Sequence, residues 1–341
     1  MAADQCSGGA SYPLGTLRLP SLRSAGSFER KVTEMLQSGD HDWSGARGRL
    51  LYLIGGTWRA FAAFAMRSAE LPLSDPHGFI LAAKHAERLA REISRKRPSD
   101  LAQLREISML RAEKLPDASA LLRVLLSVLE PEALVFSSWG LREGLHFQGL
   151  DQRERARDPL LAGVEAFATG RAASLVDAEA IVRWAEGIVE AGGERTATLR
   201  LAAAQLAIAL HRVEPNLRAP HALEWSLDKR WIGLDFRGRA MLGAALRASL
   251  GLTDPHARLL PMAGRDDLRE ATAWGLAIRL AQRFSAGSAE VLAAARLSCD
   301  KSRLDLAVVK SHAALVSPSV AKDFNTLARW LGLSPRLNVA D

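Results

Sequence analysis

Leu50-Leu51-Tyr52-Leu53-Ile54-Gly55-Gly56-Thr57-Trp58-Arg59 is the stretch that decides how this chain folds. Five apolar residues ended by a glycine pair predict a short buried strand. Thr57 can then cap a helix carrying Trp58, Phe61, Ala62, Ala65 and Ala69 on its apolar positions. The unit reads as strand, tight glycine turn, helix. A glycine pair at such a junction lets backbone N–H groups approach a phosphate at the helix N-terminus, and Arg59 is near enough in sequence to add charge. The same pair also serves simply to permit a tight turn, so the spacing leaves both readings open.

A second buried strand is expected at Ala133-Leu134-Val135-Phe136-Ser137, running into Ser138-Trp139-Gly140-Leu141-Arg142-Glu143-Gly144-Leu145. Strand ends of this kind are where α/β sheets place ligands. Arg142 can donate bidentate bonds to a phosphate with Glu143 orienting it, or the two can pair and lock the turn. Helices are expected between the strands from about His77 to Arg95, from Leu101 to Leu110 and from Asp117 to Leu129. Before them, Gly8-Gly9, Pro13-Leu14-Gly15 and Pro20 read as turns in an extended opening, followed by a helix from Phe28 to Leu36. Strands alternating with helices predict an α/β layer with a mostly parallel sheet over residues 1–150.

The charge cluster Asp151 to Pro159 is the expected domain boundary, and from there the pattern is helical. Helices are expected at Leu160 to Ala168, Val176 to Glu190, Arg195 to Arg212, His221 to Leu227, Gly238 to Leu250 and Leu268 to Phe284. Val291 to Leu297 and Leu304 to Lys310 flank a candidate hairpin at Ser298 to Arg303. Ser317 with Pro318 then starts a last helix, which Gly332 ends near Leu331. The second domain, 151–341, is therefore expected to be all-α.

A chain of 341 residues and 36.9 kDa suits two domains. Its 45 Lys and Arg exceed 38 Asp and Glu, and the net charge of +7 would concentrate phosphate-rich polyanions by field alone. A solvated Arg-rich surface reads equally well. No aromatic-interleaved basic stripe supports nucleic acid as the partner. Cys6 and Cys299 are too far apart to suggest a disulfide framework or a thiolate metal site, which fits a reducing cytoplasm. No signal peptide or uninterrupted apolar span is visible, so neither secretion nor membrane insertion is expected. His77, His85 and His211 lack the His/Asp clustering of a metal hydrolase.

Set beside known families, LYLIGGTWRAFAAF resembles the Gly-Gly-Ser/Thr-Trp-Arg segment of alphaproteobacterial-type exopolyphosphatases, and VFSSWGLREGL resembles the strand followed by Gly-Leu-Arg-Glu-Gly-Leu of the Ppx/GppA family. SYPLGTLRL, ISMLRAEKLPDASALLRVLL, LRLAAAQLAIALHRVEPNLRA and FRGRAMLGAAL resemble further segments in family order. The resemblance implies a partial actin-like, ribonuclease-H-related domain followed by a helical HD-like domain. It also implies release of terminal phosphate from inorganic polyphosphate or guanosine pentaphosphate, with Mg²⁺, and phosphate binding by Gly55, Gly56, Thr57, Arg59, Gly140, Arg142 and Glu143.

Three departures qualify it. No counterpart of the family's N-terminal half, with its phosphate loop and catalytic glutamate, precedes Met1; Asp4-Gln5-Cys6-Ser7-Gly8-Gly9 is a poor match to the second glycine-rich loop; and Ala207 to His211 with Glu214 departs from the helical-domain pattern. No catalytic residue or metal ligand is therefore assigned, and impaired activity is expected. The rival readings are a non-catalytic binder of polyphosphate or nucleotide, or a truncated gene remnant. Whether the chain forms a homodimer is left open.

Overall fold

The computed structural model describes residues 8–39, 42–171, 176–188 and 193–340. Asp4 to Ser7, including Cys6, and the expected helix end at Glu190 lie outside the described residues. The chain divides into two compact units, Met1–Leu150 and Asp151–Asp341.

In the first unit, α1 (Leu19–Ser24) and α2 (Phe28–Gln37) precede β1 (Leu50–Ile54) and α3 (Gly56–Ser68). There follow β2 (Ile80–Ala82), α4 (Ala83–Ile93), α5 (Pro98–Leu101), α6 (Met109–Leu129), β3 (Ala133–Ser137) and α7 (Leu141–Gln148). The sheet order is β1-β3-β2, with β1 parallel to β3 and β2 antiparallel to it. One face carries Leu53, Leu81, Leu134 and Phe136, all buried, and it packs on α3 and α4. Phe136 stacks between Phe61 and Phe79 at ring distances of 6.0 and 5.8 Å. Behind that layer runs α6, whose buried residues surround its whole circumference, as they must when helices pack on every side. Leu121 and Val124 on its outer side complete a small core with Leu19, Val32 and Leu36 of α1 and α2.

The other sheet face corrects the sequence expectation for the first strand. Leu50, Tyr52, Ile54 and Ile80 are 44, 57, 54 and 56% exposed, so β1 is buried on one side only. The helix expected from His77 starts at Ala83, because residues 80–82 pair with β3. The helix expected to begin at Asp117 starts at Met109 and passes through Pro116. The extended opening contains the short helix α1, with Pro20 in its first turn, where its missing N–H costs no helical bond.

The second unit comprises α8 (Gln152–Arg155), α9 (Pro159–Thr169), α10 (Val176–Trp184), α11 (Glu194–Leu210), α12 (Arg218–Leu223), α13 (Phe236–Ser249), α14 (Arg265–Ser285) and α15 (Ala289–Ala293). It ends in β4 (Ala295–Cys299), β5 (Arg303–Val309), α16 (Pro318–Leu331) and β6 (Ser334–Ala340). It is thus not all-α. The hairpin β4-β5 is joined by β6, parallel to β5, because an alternating row of buried Leu304, Leu306 and Val308 gives β5 an inner face to shelter. Helices α13 and α14 form the centre, and every residue of α13 from Gly238 onward is buried. No helix among the described residues is long and apolar enough to cross a membrane.

Asp151 and Asp158 cap α8 and α9 by accepting from Glu154 N and Leu161 N at 2.8 and 3.0 Å. Every residue between them is exposed, and exposed, short, polar segments are where proteases enter. Limited trypsin digestion is expected to cut first after Arg153 or Arg155. Earlier cutting at arginines inside the long helices, followed by mass spectrometry, would contradict this.

Candidate phosphate-binding site

Because β1 and β3 are parallel and Ile54 is the register partner of Ser137, the two turns that follow them leave the same end of the sheet side by side. A Cβ at Gly140 would lie 3.6 Å from Ile54 Cγ2. All seven residues expected at the site from sequence lie on these two turns and the helix starts they open. The two halves are built differently.

On the first, Gly55 has φ +128°, a conformation that a residue with a Cβ adopts only with strain. It turns the chain from strand into α3 in one step, and its carbonyl accepts the first helical bond from Arg59 N at 3.0 Å. No side chain caps α3, so Thr57 is not the N-cap; it stands inside the helix. First-turn amides of an uncapped helix are donors for an outside acceptor, and the helix dipole favours an anion there. Arg59 is half-buried in that first turn.

The sequence did not single out Arg111, which reaches this turn from the first turn of α6. Its Nε and Nη2 lie 3.5 and 3.8 Å from the position a Gly56 Cβ would occupy. Neither Arg59 nor Arg111 has a carboxylate within ion-pair distance among the described residues. The absence of a side chain at Gly56 is what allows a guanidinium so close to the helix start.

On the second half, the N-terminus of α7 is already occupied. Gly140 N donates to Glu143 Oε2 at 2.7 Å. That bond, with Glu143's own amide and then Arg142, holds the Glu143 carboxyl below its usual range. Arg142 is 82% exposed, with its Nε 3.4 Å from Glu143 Oε1. Glu143 thus locks the turn through Gly140 N, while Arg142 pairs with it at the surface and stays open to solvent. The Gly-x-x-Glu spacing is the trace of this cap in the sequence.

The turn before Gly140 is braced from below. Buried Asp75 accepts from Ser138 Oγ at 2.6 Å and from His77 N at 3.3 Å, while His77 Nδ1 accepts from Ser138 N at 3.4 Å. His77 stands edge-on to Trp139, with ring centroids 6.2 Å apart. His77, expected at the start of a helix, is instead a turn residue tying the 75–78 segment to the end of β3.

Among the described residues no three His, Cys, Asp or Glu side chains come together to hold a metal, and Asp75 is already engaged by a hydroxyl and an amide. These residues do not fit a metal centre.

A model described as the Ppx/GppA phosphatase family matches residues 24–153. Over that stretch the chain is similar to the Ppx/GppA phosphatase family. The matched Ppx/GppA segment contains both strand-end turns and Arg111. Two solved structures from Aquifex aeolicus are similar. One, the type II variant of the Ppx/GppA phosphatase, is 20% identical over 40% of this chain and 47% of its own, with a TM-score of 0.31. The other, from a structural characterisation of the Ppx/GppA family, is 19% identical over 44% of this chain and 50% of its own, with a TM-score of 0.33. The chain spans about half the length of these relatives. No curated protein matches it.

Proposed function

We propose that the first unit is the phosphate-binding part of an actin-like phosphohydrolase domain, acting on the end of a phosphate polymer such as inorganic polyphosphate or guanosine pentaphosphate. The second unit would be its helical, HD-like companion. The observation that carries the reading is the uncapped start of α3, with Gly55 and Gly56 opening it and Arg59 and Arg111 beside it without carboxylate partners. Phosphoryl transfer asks the protein mainly for positioning and charge stabilisation, and these residues offer both. Mg²⁺ belongs to the proposal through the family alone. Gly140, Arg142 and Glu143 shape the neighbouring turn, with Glu143 holding the amide that a phosphate would otherwise take.

The test is polyphosphate affinity at low salt for the whole chain, with phosphate release in Mg²⁺ measured in parallel. Arg111→Met is expected to weaken binding by the ~1.5–3 kcal/mol of a charge-assisted hydrogen bond, about 10- to 150-fold. Arg142→Ala is expected to change it less than about twofold, as befits an exposed ion pair. Equal losses for both would mean diffuse attraction to a basic surface and no defined site.

A further inference from the structure

A cavity of about 510 Å³ lies in the second unit among α13, α14, α16 and the loop after α13. That is ligand-sized. Its walls are apolar, with Ala244, Leu252, Leu259, Leu260 and Leu268 among them. Four arginines also line it, namely Arg247, Arg265, Arg269 and Arg329, against a single acid, Asp254.

Arg247 is the unusual member. Its side chain is 8% exposed, its Nε is buried without a partner, and its Nη2 donates to Asp254 Oδ2 at 2.9 Å. Asp254 itself is 71% exposed on the loop. A buried guanidinium needs a compensating anion close by, and this one holds only Asp254, through a carboxylate that solvent also claims and a long bond to its carbonyl at 3.5 Å. Arg265, Arg269 and Arg329 have no carboxylate within ion-pair distance among the described residues. The positive field is felt nearby: His256 is held below its ordinary value by burial and then by Arg247 and Arg258.

We propose that this cavity is a binding site for an organic anion with an apolar body, whose acidic head meets Arg247 and the rim arginines while its body lies on the leucine wall. Asp254 occupies the head's place until the ligand displaces it. This site is separate from the strand-end turns of the first unit and does not rest on the function proposed for them.

Titration calorimetry of the full-length chain with decyl phosphate, below its micelle concentration, tests the proposal. One saturable site is expected. Leu260→Asp, at a residue already 49% exposed and so tolerant of charge, is expected to weaken it at least tenfold. The double variant Arg265→Gln, Arg329→Gln should weaken it at least fivefold. Asp254→Asn removes the competitor and should tighten binding severalfold, an outcome that mere damage to the fold would not give. Arg111→Met should leave it unchanged, which separates this site from the other. Decanoate, with the same body and a different acidic head, should compete. No saturable binding, or binding indifferent to Leu260→Asp, would overturn the proposal. So would competition by inorganic phosphate alone or by uncharged decanol as effective as that of decyl phosphate.

Discussion

Gly275→Val is expected to unfold the second unit's core at temperatures where the parent chain is intact. Gly275 stands where α14 crosses α13, and a Cβ there would lie 2.1 Å from Ala245 O and 2.6 Å from Ala248 Cβ. The obstacle is the backbone of a helix whose residues from Gly238 onward are all buried, so neither atom can step aside without moving α13 as a whole. Overpacking of this kind costs about 3 kcal/mol or more. At ~2–4 °C per kcal/mol for a unit of this size, the midpoint should fall by about 6–12 °C or beyond. Gly275→Ala decides between two effects of opposite sign. Alanine gains ~1 kcal/mol of helix propensity over glycine, yet its Cβ makes the same collision, and packing should win. Gly144 in α7 is the control, since a Cβ there meets nothing within 4 Å, and Gly144→Ala should stabilise. Thermal melts showing Gly275→Ala to be neutral or stabilising would mean that α13 and α14 lie farther apart than described.

Much of this architecture is legible in the residues. Leu50 to Ile54 and Ala133 to Ser137 declare themselves as strands because each is a short apolar run closed by turn formers, and Ser317-Pro318 to Gly332 carries both of its helix signals. What failed did so where tertiary context overrules local preference. Pro116 reads as a helix boundary, yet α6 runs through it, because burial on all sides outweighs the bond Pro116 cannot donate. β2 has only three residues and exists by pairing with β3. β6 contains Pro335, which normally argues against a strand; it survives there because β6 is an edge. The unbroken apolar run of β1 gives no alternation to show that one side of it faces solvent.

Two turns at the ends of adjoining strands were legible in the sequence, and the difference between them was not. Glycine pairs announce a tight turn, but whether a helix start is free depends on what folds back onto it. At Gly140 it is Glu143, three residues along the same chain, and that spacing was readable. At Gly56 it is Arg111, which comes from a helix whose start the sequence had misplaced. No local pattern links residues 56 and 111; only packing of α3 against α6 brings them together.

Asp323→Ala should produce the second-largest loss of stability, and it reaches the cavity of the second unit as well. The Asp323 side chain, 8% exposed on α16, faces two guanidinium groups from α14. Arg279 Nε donates to Oδ1 at 3.0 Å, and Arg283 Nε lies 3.0 Å from Oδ2. Removing one member of such a cluster strands the others, at a typical cost of 3–5 kcal/mol. The arginines keep 24 and 34% exposure, so water compensates in part and about 3 kcal/mol is expected. Arg279 also donates to Ser249 O at 3.4 Å, and its guanidinium carbon lies 3.1 Å from where a Gly251 Cβ would sit. Asp323 thus holds Arg279 against the end of α13, where the loop carrying Leu252 and Asp254 begins. Urea denaturation should show the loss in Asp323→Ala, and decyl phosphate affinity should fall with it even under conditions where the variant is fully folded. Replacing all three groups together, Arg279→Met, Arg283→Met and Asp323→Leu, leaves no buried charge behind and should recover most of the stability. If the triple variant is no more stable than Asp323→Ala, the stability comes from the ion pairs themselves and not from avoiding stranded charges.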